Sequence, residues 1–492
     1  MIKKIISTYL VVVLGLVLSG SNSVLAEVNS KADSSIQPYH ENQWYWQYKG
    51  EPIMLIGGSN EDNLWQWTGK QLTDHLDLLR SVGGNYVRCT MSDRKDGNVF
   101  AVEEVDDGKY DLTQWNGEYW SRLDFFLKQT EKRGIIVQLT LWDWFDLLYD
   151  RFPVHPLNPE NNVNWEPETI GDAKDFYGKA VEEKNEPVLT YQHRYVDKLL
   201  SITLNYDHII YNIQNESSLG AEWENYWAKF LKDSSMSQGK NIHVTSMQLL
   251  PGNSVRHAMS NRELYSYVEV SQNNQNAAGA IGYKHYENLI HWRSMIDAQQ
   301  EGPMPMNNEK IYGAAAGENT SAGSANEAVE RFWRNIFAGA ASVRFHRPAG
   351  DWWGIGLSDR AQHTIKAASM FLKEFDIFNS TPYPGCETIG HHIKADYCLA
   401  NVGEAYAVYF PDGRTTIALD PWVYIDEVNI KWLNLTSGEW KEETQTLDWT
   451  EIPWQGPDRV LTISPGAGAG GPEDGYGTGD PFIGIIEPTS AN

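Results

Sequence analysis

Runs of hydrophobic residues alternate with amphipathic stretches along roughly the first three quarters of the chain. The clearest run is 208–215, HIIYNIQN, in which apolar residues lead into polar ones and Glu216 follows directly. A continuous apolar run is typical of a strand that is buried on both faces, as in a parallel sheet. In a parallel barrel, the chemistry lies at the C-terminal ends of such strands. The pattern therefore predicts a buried strand with a functional carboxylate at its end.

The same alternation predicts eight strands separated by amphipathic helices. The predicted strands are 53–56, 85–91, 135–141, 208–215, 242–248, 267–270, 310–317 and 342–345. Eight such units over about 330 residues predict an α/β fold, a (β/α)₈ TIM barrel. An open, doubly wound sheet is the alternative. A glycine-rich phosphate loop would favour that sheet, but Gly57 and Gly58 are followed by the acidic Glu61 and Asp62, which suit phosphate poorly.

From about residue 381 the pattern changes to short runs of β-forming residues separated by turns. The runs are 406–410, 415–419, 428–433, 460–463 and 482–486. This spacing predicts a small all-β sandwich domain. The chain thus divides into a leader at 1–26, a barrel at 27–380 and a C-terminal β-sandwich at 381–492.

The N-terminus has the pattern of a secretory signal peptide. Lys3 and Lys4 precede an apolar run, and Val24-Leu25-Ala26 offers a small-residue cleavage site. We therefore expect a secreted or periplasmic protein. No other run is long and apolar enough to span a membrane. The formal net charge of −25 argues against nucleic acids and anionic membranes as partners, since both attract basic surfaces.

Three cysteines bear on export and on metal binding. Cys89 lies in a predicted strand and is expected to be a buried thiol, whereas Cys386 and Cys398 lie twelve residues apart in the C-terminal region. Export makes a disulfide between those two plausible. No His/Cys cluster has the spacing of metal ligands, so neither a metal nor an organic cofactor is expected.

Two carboxylates stand at predicted strand ends, Glu216 after strand four and Glu318 after strand seven. Strand ends on one rim of a barrel face a common cleft. Hydrolysis of a glycosidic bond needs two carboxyl groups flanking that bond, one to protonate the leaving oxygen and the other to attack C1 or to activate water. Asn215 could hold a sugar hydroxyl beside them. Glu318 precedes Asn-Thr-Ser, however, and could instead cap a helix.

Further candidate ligands of a sugar follow other predicted strands. Tryptophan faces stack on sugar rings but also fill cores, aspartates can bind a hydroxyl or cap a helix, and histidine can bind an acidic sugar or form a structural pair. These candidates are Glu61 and Asp62 after strand one, Trp142, Asp143 and Trp144 after strand three, and His346, Arg347, Trp352 and Trp353 after strand eight. His346 and Arg347 together could bind an acidic sugar or form a structural pair.

Asn215-Glu216 on strand four, together with a glutamate that ends strand seven, resembles the pattern of glycoside hydrolase clan A. The resemblance implies a retaining mechanism with Glu216 as acid/base and Glu318 as nucleophile. It also implies that Asn215 holds the 2-hydroxyl of the substrate. Arg88, in Asn-Tyr-Val-Arg, matches the strand-two arginine that orients the nucleophile in many members of the clan.

Within that clan, the chain is most similar to the apiosidase-like families, which pair a barrel with a C-terminal module of the kind named collagen-binding. Three stretches carry the likeness, namely 328–341, 405–413 and 430–438. The chain departs from these families at 57–62, where GGSNED replaces a tryptophan-rich motif, and at a glycine-rich insertion near 465–480. These departures bear on the sugar specificity more than on the type of reaction.

The sequence thus predicts a secreted retaining glycoside hydrolase that acts on plant or algal polysaccharides or oligosaccharides. A carbohydrate substrate is the expected partner. The alternative is a non-catalytic carbohydrate-binding or adhesion protein on a barrel scaffold. A polysaccharide lyase is a second rival, but its chemistry would call for a Tyr, His or Lys base in place of paired glutamates.

Overall fold

A computed structural model of the chain describes residues 34–95, 97–106, 108–216, 218–250, 252–271, 284–313, 323–347, 354–389, 397–411, 416–419, 427–448, 461–465 and 480–489. The predicted signal peptide, residues 1–26, lies outside these ranges. Within them, no helix is long and apolar enough to cross a membrane.

Eight parallel strands form the main sheet, and their labels follow chain order. They are β1 (Leu55–Gly58), β2 (Tyr86–Thr90), β3 (Ile136–Asp143), β4 (Ile209–Asn215), β5 (Val244–Thr245), β6 (Val268–Glu269), β7 (Met306–Ile311) and β8 (Ser342–Phe345). Their order in the sheet is β5-β4-β3-β2-β1-β8-β7-β6.

The two edges of this sheet meet, so the strands form a nearly closed barrel. The backbone N–H of Ser266 donates to the Val244 carbonyl over 3.0 Å, and the Thr245 hydroxyl donates to the Tyr267 carbonyl over 2.8 Å. These bonds link β5 to the start of β6. The predicted (β/α)₈ barrel is confirmed, and the open doubly wound sheet is not what the chain forms.

Helices lie between the strands because amphipathic stretches bury one face against the barrel. A Ser324–Glu327 capping box begins one helix, and Gly134, with φ 61°, ends another in the left-handed conformation that glycine adopts without strain. The α-helices are Gly69–Ser81, Gly117–Arg133, Ala173–Phe176, Gly178–Glu182, Glu186–Thr203, Ala221–Ser237, Asn253–Ser260, Lys284–Asp297, Ala325–Phe337 and Asp359–Glu374. Short 3₁₀ helices are Leu64–Gln66, Trp144–Leu147, Tyr149–Val154, Pro159–Asn161 and Ile377–Asn379.

The position of β7 corrects the sequence-based assignment. The apolar run 310–317 predicts the strand there, but β7 begins at Met306 and ends at Ile311. Polar side chains occupy this strand because they bond within the barrel lumen. Asn307 donates to Gln138 over 3.1 Å and accepts from the indole of Trp46 over 2.9 Å. Polar residues that the sequence pattern suggests are exposed therefore form their hydrogen bonds inside the barrel.

A small antiparallel sheet covers the N-terminal end of the barrel. Its strands are Gln37–Pro38, Trp46–Tyr48 and Glu51–Ile53. Trp46 is fully buried there and packs edge-on against Tyr267, with ring centroids 5.1 Å apart. The sheet therefore covers the lumen at this end of the barrel.

The C-terminal region is all-β, as predicted, and forms two antiparallel sheets. A disulfide joins Cys386 to Cys398. Tyr409 packs against Trp333 and Phe337 of a barrel helix, with ring centroids 6.3 Å and 5.8 Å away. This contact joins the two regions in one hydrophobic core. The strands are Thr381–Pro382, Cys386–Ile389, Cys398–Asn401, Ala405–Phe410, Thr416–Leu419, Glu427–Asn434, Glu439–Trp440, Gln445–Asp448, Leu461–Ile463 and Phe482–Pro488. A further hairpin, Val102–Asp106 with Lys109–Trp115, follows β2.

Candidate active site

A cavity of about 410 Å³ opens at the C-terminal rim of the barrel. Its size falls in the range of small-molecule sites. Residues that follow β1, β4 and β8 meet there, as expected for the rim of a parallel barrel. The lining residues are Glu61, Asp62, Arg88, Arg94, Lys95, Phe145, Arg151, Asn215, Glu216, Lys310, Tyr312, His346 and Arg347.

Glu216 follows β4 directly and lies on the cavity wall. Its backbone adopts φ 57°, a left-handed conformation that residues other than glycine rarely take. Such strain concentrates at functional sites, where the surrounding structure holds it in place. The side chain of Glu216 is 13% exposed, and its carboxylate accepts a hydrogen bond from the ammonium of Lys310. A carboxylate in this position can exchange a proton with a molecule in the cavity.

Asn215 is fixed from three sides by charged groups. Its Oδ1 accepts from Lys310 Nζ over 2.7 Å and from Arg88 Nη2 over 2.8 Å, while its amide donates to Asp143 Oδ1 over 3.0 Å. These bonds allow only one orientation of the amide. The side chain that could hold a sugar hydroxyl is thus preorganised beside Glu216.

Arg88, fully buried on β2, links the two sides of the site. Besides Asn215, its guanidinium contacts Glu309 over 2.8 Å through Nε and Asp62 over 3.3 Å through Nη1. Burial disfavours the charge of Arg88, but these carboxylates outweigh burial and raise its pKa. Arg88 therefore remains a fixed cation beneath the cavity.

Asp62 and His346 form a second linked pair at the rim. Asp62 Oδ1 lies 3.0 Å from His346 Nδ1, which also lies 2.9 Å from the guanidinium of Arg344. Burial opposes the charge of Asp62, but His346 and the guanidinium groups of Arg88 and Arg347 outweigh burial and hold the pKa of Asp62 well below its usual range. Burial and the nearby cations lower the pKa of His346 far below its usual value. Asp62 is therefore the ionised carboxylate of this pair, beside the guanidinium groups of Arg88 and Arg347.

Arg94 lines the cavity and contacts two buried aspartates, Asp143 and Asp146. Arg94 bonds to Asp143 and lies 3.1 Å from Asp146, which also accepts from Ser92 over 2.7 Å. Burial and the charge of Asp143 raise the pKa of Asp146 well above its usual value. The charge of Arg94 outweighs burial at Asp143 and lowers the pKa of that carboxyl. Asp143, bonded to Asn215, is the ionised member of this pair.

A polar network fills the lumen beneath the cavity. Gln138 on β3 donates to both Glu269, over 3.1 Å, and Glu309. Burial and the proximity of Glu309 raise the pKa of Glu269 to about 8, and burial raises the pKa of Glu309. Carboxyl groups that share such a site take up a proton because two buried charges would repel each other. Glu309 also contacts Nε of Arg88 over 2.8 Å, so it connects this network to the cavity.

The structure brings most of the sequence-predicted ligands together. Arg88, Asn215, Glu216, Glu61, Asp62 and His346 line the cavity, and Asp143 lies directly behind Asn215. Trp142 and Trp144 do not line it. Trp142 is buried against Trp223 and Trp227, and Trp144 packs against Tyr177. Glu318, Trp352 and Trp353 lie outside the described residues.

Four basic residues of the cavity wall were not among the sequence-based candidates. These are Arg94, Lys95, Arg151 and Lys310. Of the four, Lys310 could have been suspected from the sequence. It follows Glu309 at the start of a predicted buried strand, where two adjacent charged residues are unusual. Arg94 lies in a loop and Arg151 in the 3₁₀ helix Tyr149–Val154, and neither spacing nor periodicity links such positions to a strand end.

Two solved structures share the fold over most of their length. A glycoside hydrolase family 5 protein from Bacteroides vulgatus ATCC 8482 matches with a TM-score of 0.65 at 15% identity, over 94% of both chains. A second glycoside hydrolase matches with a TM-score of 0.64 at 14% identity, over 94% of this chain and 98% of the other. No protein-family model matches the chain, and no curated protein matches it in sequence. At this level of identity the likeness establishes a barrel with a C-terminal all-β domain.

Proposed function

We propose that this chain is a glycoside hydrolase and that Glu216 is its acid/base. One observation carries the proposal: Glu216 follows β4 of a (β/α)₈ barrel and lines the rim cavity beside the immobilised amide of Asn215. Hydrolysis of a glycosidic bond requires two carboxyl groups on this rim, and Glu216, next to a group that can bind a hydroxyl, would be one of them. The glycoside hydrolases that share the fold support the same reaction class.

The proposed nucleophile is Glu318, which follows β7 in the chain. In the first step Glu318 attacks the anomeric carbon while Glu216 donates its proton to the leaving oxygen, so that the C1–O bond breaks and a glycosyl ester forms. In the second step Glu216, now a carboxylate, removes a proton from water as that water attacks the anomeric carbon, and the bond from that carbon to the Glu318 oxygen breaks. The sugar leaves with its original anomeric configuration, and both glutamates return to their starting states.

The surrounding residues position these groups. Asn215 would hold the 2-hydroxyl of the sugar, since Arg88, Lys310 and Asp143 fix its amide. The ammonium of Lys310 would stabilise the carboxylate that Glu216 becomes once it has given up its proton. Asp62 and Glu61, which also line the cavity, would accept hydrogen bonds from other sugar hydroxyls.

The sequence supports a finer identity. The likeness of residues 328–341, 405–413 and 430–438 to the apiosidase-like families supports a place within clan A. The leader at residues 1–26 supports secretion or a periplasmic location. A plant or algal polysaccharide, or an oligosaccharide cut from one, would then be the substrate.

Product analysis on a panel of polysaccharides and aryl glycosides tests the proposal. Wild type should release sugar whose first-formed anomer, followed by proton NMR, has the configuration of the substrate. Glu216→Gln and Glu318→Gln should each lower kcat by at least about 100-fold while sugar binding persists. Glu222→Gln, an exposed glutamate on a nearby helix, is the matched control. An inverted first product, or full activity in either active-site variant, would contradict the mechanism.

A carbohydrate-binding protein without catalysis is the second candidate, and the contact between Lys310 and Glu216 favours it. An ammonium beside a carboxylate favours the ionised form, which cannot donate a proton. In that case wild type would bind oligosaccharides by calorimetry but release no sugar over extended incubation. Glu216→Gln would then leave both measurements unchanged.

A further inference from the structure

A second cavity, of about 430 Å³, lies beside the first and is bounded by the segments that follow β1 and β2. Glu61 and Lys95 line both cavities. The carboxylate of Glu61 lies 3.4 Å from the ammonium of Lys95, and the Lys95 side chain is 47% exposed, so this ion pair is no buried partition between the two spaces. A chain of sugar units that begins beside Glu216 can therefore continue past the pair into the second cavity.

The wall of the second cavity is held together by Arg122. Its guanidinium donates to the carbonyl of Gln66 over 2.9 Å and to the carbonyl of Gly97 over 3.3 Å. These bonds join the 3₁₀ helix Leu64–Gln66, after β1, to the loop after β2. The amide of Gln66 adds two bonds to the backbone of Val99, donating over 3.0 Å and accepting over 3.3 Å. Because the wall is already ordered, a ligand loses little affinity to ordering it.

Trp67 lines this cavity with an aromatic ring. The ring packs edge-on against the imidazole of His75, with ring centroids 5.3 Å apart and an interplanar angle of 76°. It is partly exposed, whereas Trp142 and Trp144 beside the first cavity are buried. A tryptophan that is held in place and partly exposed offers its face to the C–H groups of a sugar at a low cost in conformational entropy.

Polar groups beside Trp67 remain available for hydrogen bonds. Thr68 and Gln71 line the same cavity at the start of the helix Gly69–Ser81, and both are exposed. The hydroxyl of Thr68 does not cap that helix. Within the part of the chain that the structure describes, neither side chain has a hydrogen-bond partner. A hydroxyl and an amide each donate and accept, as the hydroxyl groups of a sugar do.

We infer that the second cavity binds a further sugar unit of the same substrate chain, with Trp67 as the stacking surface and with Thr68 and Gln71 as hydrogen-bonding groups. A sugar ring has apolar C–H faces and hydroxyl groups at its edge, which match an aromatic ring beside amide and hydroxyl side chains. A purely apolar occupant would instead remove these polar groups from water without replacing their hydrogen bonds. This inference rests on the proposed function, because it extends the binding site of the same substrate.

The dependence of binding on chain length tests the inference separately from catalysis. Calorimetry on Glu216→Gln measures the affinity for β-linked gluco-, manno-, xylo- and galacto-oligosaccharides of one to six units. In the series that binds, affinity should rise by at least about 10-fold at one step, where a unit first reaches the second cavity. Affinity that does not change with chain length, or no binding of any series, would overturn the inference.

Substitutions assign that step to the second cavity. Trp67→Ala and Gln71→Ala, each added to Glu216→Gln, should weaken binding of the chains beyond the step by about 3- to 10-fold and affect shorter chains less. Trp115→Ala removes a partly buried tryptophan that lines neither cavity and should retain the whole step. Because Gln71 is exposed, its replacement keeps the test decisive if Trp67→Ala does not fold. A full step in the variants that fold, or an equal loss at every length, would overturn the inference.

A crystal structure of Glu216→Gln with the most tightly bound oligosaccharide locates the further unit directly. One sugar ring should lie in van der Waals contact with the indole of Trp67, and another should lie beside residue 216. A bound chain that leaves the second cavity empty would contradict the inference.

The outcomes separate this inference from the proposed function. If binding shows a length step that requires Trp67 or Gln71, but wild type releases no sugar from any series, the hydrolase proposal fails and the inference stands. If wild type hydrolyses oligosaccharides of every length with the same kcat/KM, and Trp67→Ala leaves their relative rates unchanged, the hydrolase proposal stands and the inference fails.

Discussion

The ammonium of Lys310, at the end of β7, donates a hydrogen bond to the carboxylate of Glu216 at the end of β4. Burial lowers the pKa of Lys310, and the charge of Glu216 partly offsets that effect. The same ammonium also bonds to Asn215, so one buried cation orients both residues. Lys310 is therefore positioned to control when Glu216 carries a proton.

Removal of this cation should change the pH dependence of turnover. A neighbouring cation favours an ionised carboxylate, whereas acid catalysis needs the protonated form, so Lys310→Met should move the basic limb of the kcat profile to higher pH by about one unit or more. Lys95→Met, which removes a cation paired with Glu61 on the same wall, is the control and should leave that limb in place. An unchanged limb in Lys310→Met would mean that Lys310 does not act on the catalytic proton.

Arg88 should contribute to the stability of the fold as well as to activity. Arg88→Met leaves Asp62 and Glu309 without their buried cation, and loss of one partner from a buried ion pair costs about 3–5 kcal/mol. Denaturant unfolding should show this loss. Adding Glu309→Gln should restore part of the lost free energy of unfolding, because it removes one orphaned carboxyl group. A loss below about 1 kcal/mol in Arg88→Met would show that the pairs contribute little.

The sequence predicted β4 correctly because the strand carries an ordinary apolar signal. An apolar run from Ile209 ends in Asn215, and a carboxylate follows it at the place where barrels carry their chemistry. β7 was misplaced because Asn307 and Glu309 point into a lumen that other polar side chains fill. Partners distant in sequence decide whether a polar residue can be buried, and no periodicity encodes them.

The tryptophans also show that residue type alone does not predict which side chains line the cavity. Trp142 lies at the end of β3 and Trp144 follows it, as a ligand pair would, yet both are buried against other aromatic rings. An aromatic ring suits a sugar face and a core equally well, so residue type cannot separate the two roles. Arg151 was missed because only the folded loop after β3 brings it to the cavity.

A buried glutamate outside the site should make stability depend on pH. Burial raises the pKa of Glu224 from 4.5 to about 7, although Gln248 donates to its carboxyl group over 3.2 Å. Between those pH values the folded state holds a proton that the unfolded state releases. Stability should therefore fall as pH rises from 4.5 to 7, by up to about 3 kcal/mol.

Glu224→Gln should remove this dependence. Free energies of unfolding measured at several pH values should give a flatter profile than wild type across that interval. Glu222→Gln, exposed on the same helix, should retain the wild-type slope. Parallel profiles for wild type and Glu224→Gln would show that Glu224 does not bind the proton.

The disulfide should stabilise the C-terminal domain. Cys386 and Cys398 are twelve residues apart. Closing a loop of about this length lowers the entropy of the unfolded chain, which raises the free energy of unfolding by roughly 3 kcal/mol. Replacement of both by Ala should lower the midpoint of denaturant unfolding. Wild type unfolded in a reducing agent is the control and should match the variant. Agreement between the oxidised wild type and the variant would rule out a stabilising role.

The most direct test of Glu216 as acid/base is the kinetics of Glu216→Ala on aryl glycosides of the preferred sugar. A leaving group that needs no proton, such as dinitrophenolate, should react in the variant at close to the wild-type rate in the first step, whereas a poor leaving group should lose about 100-fold or more. Added azide should restore turnover and yield a glycosyl azide of retained configuration. Equal losses for all leaving groups, without azide rescue, would contradict the assignment of Glu216.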